Sequence, residues 1–384
     1  MTPVPGAAAA GPLFLASSDG AGLAEWLAEL RLSGPVIVIT TASDGLSDAD
    51  AIVGPWLAAA GAAGPLHILN LQDDPRPALT DAGAVVMPGG NPFRLLGALR
   101  SSGADRVLVQ RHAEGLPIAG QSAGAIVCAP TVEPVVLSSP FAPETGQDLA
   151  GLGLTATLVL PHHDRPGRSA RHRAVARRYA AVAELVPLWD GEVRLESAAG
   201  WSIRQGNVTT RPARSADAGA VAAVFRSATS AAWQHFVGVD RLRNAPDDTG
   251  RWAERIAAGG VGFLVAEDPD GILGFVLYRA APEDALAGGP AGEVDLLYTL
   301  PRAWGRGIGR RLLERATFAL LVQGFREAVL WTEQRNHRAL AVYRRNGWVP
   351  DGAVMERDYL GVPIRNVRHR LDLARFAGGS DAVA

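Results

Sequence analysis

Gly115-Leu116-Pro117-Ile118-Ala119-Gly120-Gln121-Ser122-Ala123-Gly124-Ala125-Ile126-Val127 reads as a buried strand, a tight turn and the first turn of a helix, with a serine at the apex. In such a G-x-S-x-G turn the backbone is strained, the serine hydroxyl stands clear of it, and the N–H groups that follow can face a developing oxyanion. Glycine on each side is a steric demand, since a side chain at Gly120 or Gly124 would meet the neighbouring strand or helix. A plain helix N-cap would give the same letters in a chain with 44 glycines, so the surrounding segments have to carry the reading.

Working outward, Pro35-Val36-Ile37-Val38-Ile39-Thr40 is a continuous apolar run of the kind that forms a parallel strand buried on both faces. His67 to Leu71, Ala84 to Met87 and Leu116 to Ala119 repeat it, with helical stretches such as Asp50 to Ala60 and Pro92 to Ser101 between them. Strands alternating with helices predict an α/β fold, a doubly wound parallel sheet whose ligands sit at the carboxyl ends of the strands. Ser122 falls at such an end. From Val193 to Val208 the texture changes to short β-like pieces, and Thr209-Thr210-Arg211-Pro212-Ala213 opens a second, mixed α/β unit. The expected domains are therefore 1–207 and 208–374, followed by a disordered tail, 375–384.

A chain of 384 residues with 48% hydrophobic and 20% charged residues is expected to fold as soluble domains. A net charge of −2 argues against nucleic acid or an anionic membrane as partner. All 37 basic residues are arginine, which excludes a P-loop lysine, a pyridoxal-phosphate Schiff base and a lysine nucleophile. The lone cysteine, Cys128, can form neither an internal disulfide nor a cysteine metal cluster, and no metal site is expected. There is no basic residue before Arg31 and no apolar run of the ~20 residues a bilayer requires, so the cytoplasm is the expected location.

Upstream of the serine, Val86-Met87-Pro88-Gly89-Gly90-Asn91-Pro92-Phe93 is a strand that ends in a Gly-Gly-Asn turn before a helix. Backbone N–H groups in such a turn suit a negative oxygen, and Gly90 and Ala123 are the two candidate oxyanion donors. A neutral serine needs a base. Leu158-Val159-Leu160-Pro161-His162-His163-Asp164 ends an apolar strand in histidines where an active-site loop should emerge; His162 is the first candidate, His163 the alternative.

Together these segments resemble the dipeptidase E family, serine peptidases of aspartyl dipeptides within the class I glutamine amidotransferase-like superfamily. The likeness runs over roughly residues 10–207 and rests on Gly89-Gly90-Asn91 with Phe93, on Gly120 to Gly124, and on Pro161-His162. It implies catalysis by Ser122 and His162, with Asn91, Arg165, Arg168 and Arg171 as candidates for binding an acidic substrate. Serine rather than cysteine at the elbow argues against glutamine amidotransfer. Some family members carry a catalytic aspartate shortly after the serine, where this chain reads Thr131-Val132-Glu133-Pro134-Val135-Val136-Leu137. Glu133, Glu192 and Asp190 are the unranked candidates to orient His162, and the alternative is an inactive substrate-binding module.

In the second half, Glu293-Val294-Asp295-Leu296-Leu297-Tyr298-Thr299 is a strand, and Gly305-Arg306-Gly307-Ile308-Gly309-Arg310 is a glycine-rich turn opening an amphipathic helix. Exposed N–H groups at a helix start suit a pyrophosphate. Downstream, Asn336 and Tyr343 are seven residues apart and share a helix face. This half resembles the GNAT family of acetyl-coenzyme A-dependent N-acetyltransferases over residues 208–374. The resemblance implies that the backbone of Leu297, Tyr298 and Thr299 holds the pantetheine arm and that Gly305, Arg306, Gly307, Ile308, Gly309 and Arg310 hold the pyrophosphate. Asn336 would contact the cofactor and Tyr343 would protonate the departing thiolate; Glu293, Asp295 and Glu333 are candidates for the base. The combined expectation is a bifunctional enzyme: a serine hydrolase of small aspartyl-like peptides or amides joined to an N-acetyltransferase of a small amine or aminoacyl compound. Its partners are small molecules or peptides, and a homo-oligomer is left open.

Overall fold

In the computed structural model, residues 10–246, 248–282 and 290–373 are described. The chain separates into two compact units, with the division between Gly206 and Asn207. The expected tail, 375–384, lies outside the described residues.

The first unit contains strands β1 (Leu13–Ala16), β2 (Val36–Val38), β3 (Leu66–Ile68), β4 (Ala84–Met87), β5 (Ile118–Gln121), β6 (Thr157–Leu160), β7 (Glu184–Pro187), β8 (Val193–Ser197) and β9 (Gly200–Gln205). Its main sheet runs β9-β8-β1-β5-β4-β2-β3, parallel from β1 to β3 and antiparallel through β8 and β9. Phe14, Ala16, Val36, Val38, Ala84, Val86 and Ala119 point to one face, where Leu23, Trp26 and Leu27 of one helix and Trp56 and Ala60 of another cover them. The alternate residues Leu13, Leu15, Ile37, Val85, Met87 and Ile118 are buried as well. Burial on both faces explains why these strands read as unbroken apolar runs. The run around His67 departs from that expectation: β3 closes the sheet as an edge strand, and His67 and Ile68 are exposed. β6 and β7 form their own two-stranded parallel sheet, so the strand leading to His162 is not part of the main one.

The second unit contains β10 (Val208–Pro212), β11 (Val261–Asp268), β12 (Gly271–Ala280), β13 (Gly292–Thr299), β14 (Glu327–Glu333), β15 (Val349–Tyr359) and β16 (Val362–Asp372). The order is β10-β11-β12-β13-β14-β16-β15. All neighbours are antiparallel except β13 and β14, which pair in parallel at Gly292–Ala328 and Glu293–Val329 and, among the described residues, nowhere further along. The sheet opens there. β13 is buried over Gly292 to Val294 and half-exposed from Asp295 to Thr299, although it is an interior strand. A register shift opposite Leu277 and Tyr278 starts the divergence.

Candidate active site

Ser122 stands at φ 44°, ψ −101°, between the end of β5 and the helix Ala123–Val127. A β-carbon added at Gly120 would lie 2.4 Å from the carbonyl carbon of Gly124, and one at Gly124 would lie 1.9 Å from the Met87 carbonyl oxygen. Both contacts are impossible for any other residue, so the strained serine conformation is held by packing that only glycine permits.

The site is assembled from loops that follow the carboxyl ends of parallel strands. Ser122 Oγ lies 3.2 Å from His162 Nε2, beyond β6. His162 Nδ1 lies 2.6 Å from Asp190 Oδ1, beyond β7, and Arg165 Nε donates to Asp190 Oδ2 at 2.6 Å. Ser17, beyond β1 and fully buried, accepts the His162 N–H at 2.8 Å and lies 3.3 Å from Asp190 Oδ1. That bond holds His162 in its left-handed backbone conformation, φ 63°. Serine, histidine and aspartate thus stand in one hydrogen-bonded series, the arrangement of a serine-hydrolase centre.

Asp190 is the carboxylate on the ring. The two other sequence candidates are engaged elsewhere: Glu133 accepts from the Tyr179 hydroxyl at 3.1 Å, and Glu192 accepts the Trp189 N–H at 2.9 Å. Burial alone would raise its carboxyl, but the bonds from His162 and Arg165 outweigh it and hold the group below the usual carboxylate range. Burial pushes His162 below its ordinary 6.5; the bond to Asp190 opposes this, and the positive charges of Arg165 and Arg168 add to it. The imidazole is therefore neutral near pH 7, as a base requires.

Two amides are available to an oxyanion. The Ser122 carbonyl accepts from the Ile126 N–H at 2.9 Å, which turns the Ala123 N–H of the same peptide the opposite way. Gly90 has φ 136°, and a β-carbon there would lie 2.0 Å from the Ala42 carbonyl oxygen. Neither the Gly90 nor the Ala123 N–H has an acceptor among the described residues. Gly89 packs by the nucleophile: a β-carbon on it would be 3.5 Å from Ser122 Cβ.

Several expected binding residues have structural roles. Asn91 is the N-cap of the helix Pro92–Ser102, accepting from the Phe93 and Arg94 N–H groups at 3.0 and 3.2 Å, so its carbonyl is not presented to a substrate. Arg165 is committed to Asp190, and Arg168 donates to the Ser138 carbonyl. Arg171 is exposed and near enough to repel the Arg168 charge. Cys128 is buried and donates to the Gly124 carbonyl at 3.3 Å; burial, with the charge of Glu196, pushes its thiol up to about 12 and makes it inert.

In the second unit, the edge of β13 from Leu297 to Thr299 faces the opening between β13 and β14. The Thr299 carbonyl accepts the Trp304 indole N–H at 3.1 Å. Gly305 and Gly307 both have φ 79°, a conformation that favours glycine, and Gly307 starts the helix Ile308–Val322 without a side-chain cap. An unpaired strand edge beside an uncapped helix start fits a cofactor with an amide-bearing arm and a pyrophosphate. Arg306 pairs with Asp268 at 3.6 Å and Arg310 with Glu314 at 2.9 Å, so the backbone of this turn is its main contribution.

Asn336 caps the helix His337–Arg345, its Oδ1 accepting from the Ala339 N–H at 3.2 Å. Tyr343 is buried, and its phenol is pushed up to about 12 by that burial. Among the candidate bases, Glu333 is held by the backbone N–H and guanidinium of Arg335, at 2.6 and 2.8 Å. Glu293 and Asp295 share Arg279, each at 3.2 Å. Burial and the charge of Asp295 raise the Glu293 carboxyl above its ordinary value, which favours proton uptake there.

The two sites define two classes, a serine hydrolase centre and an acyl-coenzyme A-type fold, and comparison with known proteins gives their families. Residues 55–195 match peptidase family S51, and residues 227–348 match the acetyltransferase (GNAT) family. The chain is 37% identical over 109 residues to peptidase E of Streptomyces coelicolor, a stretch covering 27% of this chain and 42% of that protein. It is 36% identical over 88 residues to mycothiol acetyltransferase of Beutenbergia cavernae, covering 23% of this chain and 28% of that one. A solved structure of a candidate peptidase E from Listeria monocytogenes aligns with 52% of this chain and 99% of its own, at 19% identity and a TM-score of 0.44. The matches therefore span less than half the length of either curated relative. The chain thus carries a peptidase S51 domain followed by a GNAT acetyltransferase domain.

Proposed function

We propose that the first unit hydrolyses small acidic peptides or amides and that the second acetylates a small amine with acetyl-coenzyme A. The hydrogen-bonded series Ser122–His162–Asp190 carries the first assignment. Ser122 Oγ attacks the scissile carbonyl carbon while His162 Nε2 takes its proton; the same nitrogen returns that proton to the leaving amine. Asp190 accepts from His162 Nδ1 and supports the imidazolium that forms. The Gly90 and Ala123 N–H groups donate to the tetrahedral oxyanion. Arg168, whose charge reaches His162, and Arg171, near Arg168, favour a substrate with a carboxylate.

In the second unit the Leu297 and Tyr298 backbone and the turn Gly305 to Arg310 hold the cofactor, with Asn336 at the start of the neighbouring helix. Bound acetyl-coenzyme A supplies the activated acetyl group. Tyr343 keeps its proton near pH 7 and serves as the acid, and Glu293, paired with Asp295 through Arg279, takes the proton of the amine. Relatives that carry the name mycothiol acetyltransferase support including a mycothiol-type compound among the acceptors tested.

Fluorophosphonate labelling of the full chain, abolished in Ser122→Ala while acetyl transfer persists, is the expected outcome for the first unit. Absence of labelling on folded protein refutes that assignment. For the second unit, calorimetry is expected to show acetyl-coenzyme A binding, and Tyr343→Phe to slow transfer by roughly 10²- to 10⁴-fold with binding retained.

A further inference from the structure

The Gly89–Gly90 peptide is the soft point of the oxyanion site. Its rotation turns only ψ of Gly89 and φ of Gly90, torsions that two adjacent glycines leave nearly unrestrained. In a planar trans peptide the C=O and N–H point in opposite directions, so a flip would carry the Gly90 N–H away from Ser122. Ser43, in the single turn Thr41–Ser43 that follows β2, donates from Oγ to the Gly89 carbonyl oxygen at 2.6 Å. Ser43 is 2% exposed, so water does not compete for that carbonyl.

The adjoining peptides are tied too. The Gly89 N–H donates to Gln121 Oε1 at 3.0 Å, and the Asn91 N–H donates to the Ala42 carbonyl at 2.7 Å. Ser43 is the one side chain among these that holds the oxygen of the peptide whose N–H faces the reaction. Its donation also polarises that peptide and strengthens the N–H as a donor.

We infer that Ser43 is a positioning residue for hydrolysis: its hydroxyl locks and polarises the Gly89–Gly90 peptide so that the Gly90 N–H is aimed at the oxyanion before substrate arrives. This rests on the proposed hydrolase reading and on Gly90 as a donor. The sequence motif shows the two glycines but not the serine 46 residues away that makes their geometry stable.

Saturation kinetics of fluorophosphonate labelling test it on the full chain. In that reaction Ser122 Oγ bonds to phosphorus, fluoride leaves, the hydroxyl proton passes to His162, and negative charge builds on the phosphoryl oxygen as on a tetrahedral intermediate. Ser43→Ala is expected to lower the maximal labelling rate by about 10²-fold, the loss seen when an oxyanion donor is removed. The half-saturating probe concentration and the pH midpoint set by His162 should stay unchanged, whereas general damage to the triad would move both. Ser43→Thr, which keeps the hydroxyl, should recover most of the rate. Should Ser43→Ala fail to fold, Ser43→Cys, with a weak donor of similar shape, is expected to show the same loss. Wild-type labelling rates in Ser43→Ala or Ser43→Cys overturn the inference. Labelling that is absent in the wild type, or that survives Ser122→Ala, instead overturns the hydrolase reading on which it rests.

Discussion

His162 is held between opposing influences that set when it can act as a base. Burial and two arginines favour the neutral ring, while Asp190 favours the charged one, and the balance lies below 6.5. Hydrolysis needs the neutral ring, so the rate is full above this value and is lost as pH falls through it. A pH–rate profile should place the acid limb below pH 6.5. Arg165→Gln removes a positive neighbour and should move that limb to higher pH. Asp190→Asn, which leaves the wrong group on Nδ1, should lower the hydrolysis rate by roughly 10⁴-fold. A rate close to wild type would show that another group orients the ring. Ser122, His162 and the Gly-Gly-Asn turn were legible because each follows an apolar run directly in sequence. Asp190 was visible only as one of three carboxylates, since the contact that selects it joins loops 28 residues apart.

At the scale of elements, the cofactor turn depends on two left-handed glycines. Gly307, at φ 79°, sits in open space, so the cost of a side chain there is conformational and not steric. Gly307→Ala should therefore destabilise the second unit by about 1–2 kcal/mol, the penalty for an L-residue in that region. Denaturant melts would measure it, and calorimetry should show weaker acetyl-coenzyme A binding as the turn relaxes. Unchanged affinity and stability would separate the turn from the cofactor site. The glycine-rich turn was readable from the sequence because its demand falls on consecutive residues. The opening between β13 and β14 was not: their pairing ends after Glu293 because of register, which depends on β12 and on the bulge opposite Leu277 and Tyr278. Asn91 and Asn336, expected as ligand residues, also cap helices through Oδ1, the role in which asparagine satisfies N–H groups that a helix start leaves unpaired.

At the scale of the whole molecule, the first unit carries a histidine pair beside the candidate site, of which His172 is buried. His172 is 1% exposed, and its Nδ1 is 2.9 Å from that of His163. Burial, reinforced by His163 and nearby arginines, puts the His172 pKa well below 6.5. Between that value and the unfolded value of about 6.5 the unfolded chain binds the extra proton, so stability rises with pH. The contribution is complete above about pH 6.5 and is lost as pH falls toward the folded value. Denaturation of the first unit at pH 7.5 and 5.5 should show this slope, and His172→Asn should flatten it. An equal slope in the variant would assign the effect to other groups.

Sequence alone determined the two families of domain and the glycine turns, and it singled out Ser122 and His162, which the fold brings to 3.2 Å of one another, because each depends on local sterics or directly follows an apolar strand. It also limited the chemistry, through the absence of lysine and a single cysteine. Tertiary structure decided which carboxylate holds His162, that Arg165 supports Asp190, that β3 lies at an exposed edge, and that Ser43 meets the Gly89 carbonyl. The physical reason is common to these. Parallel strands bring their carboxyl ends together only when the sheet has formed, and residues far apart in the chain become hydrogen-bond partners there without leaving a pattern in the sequence between them.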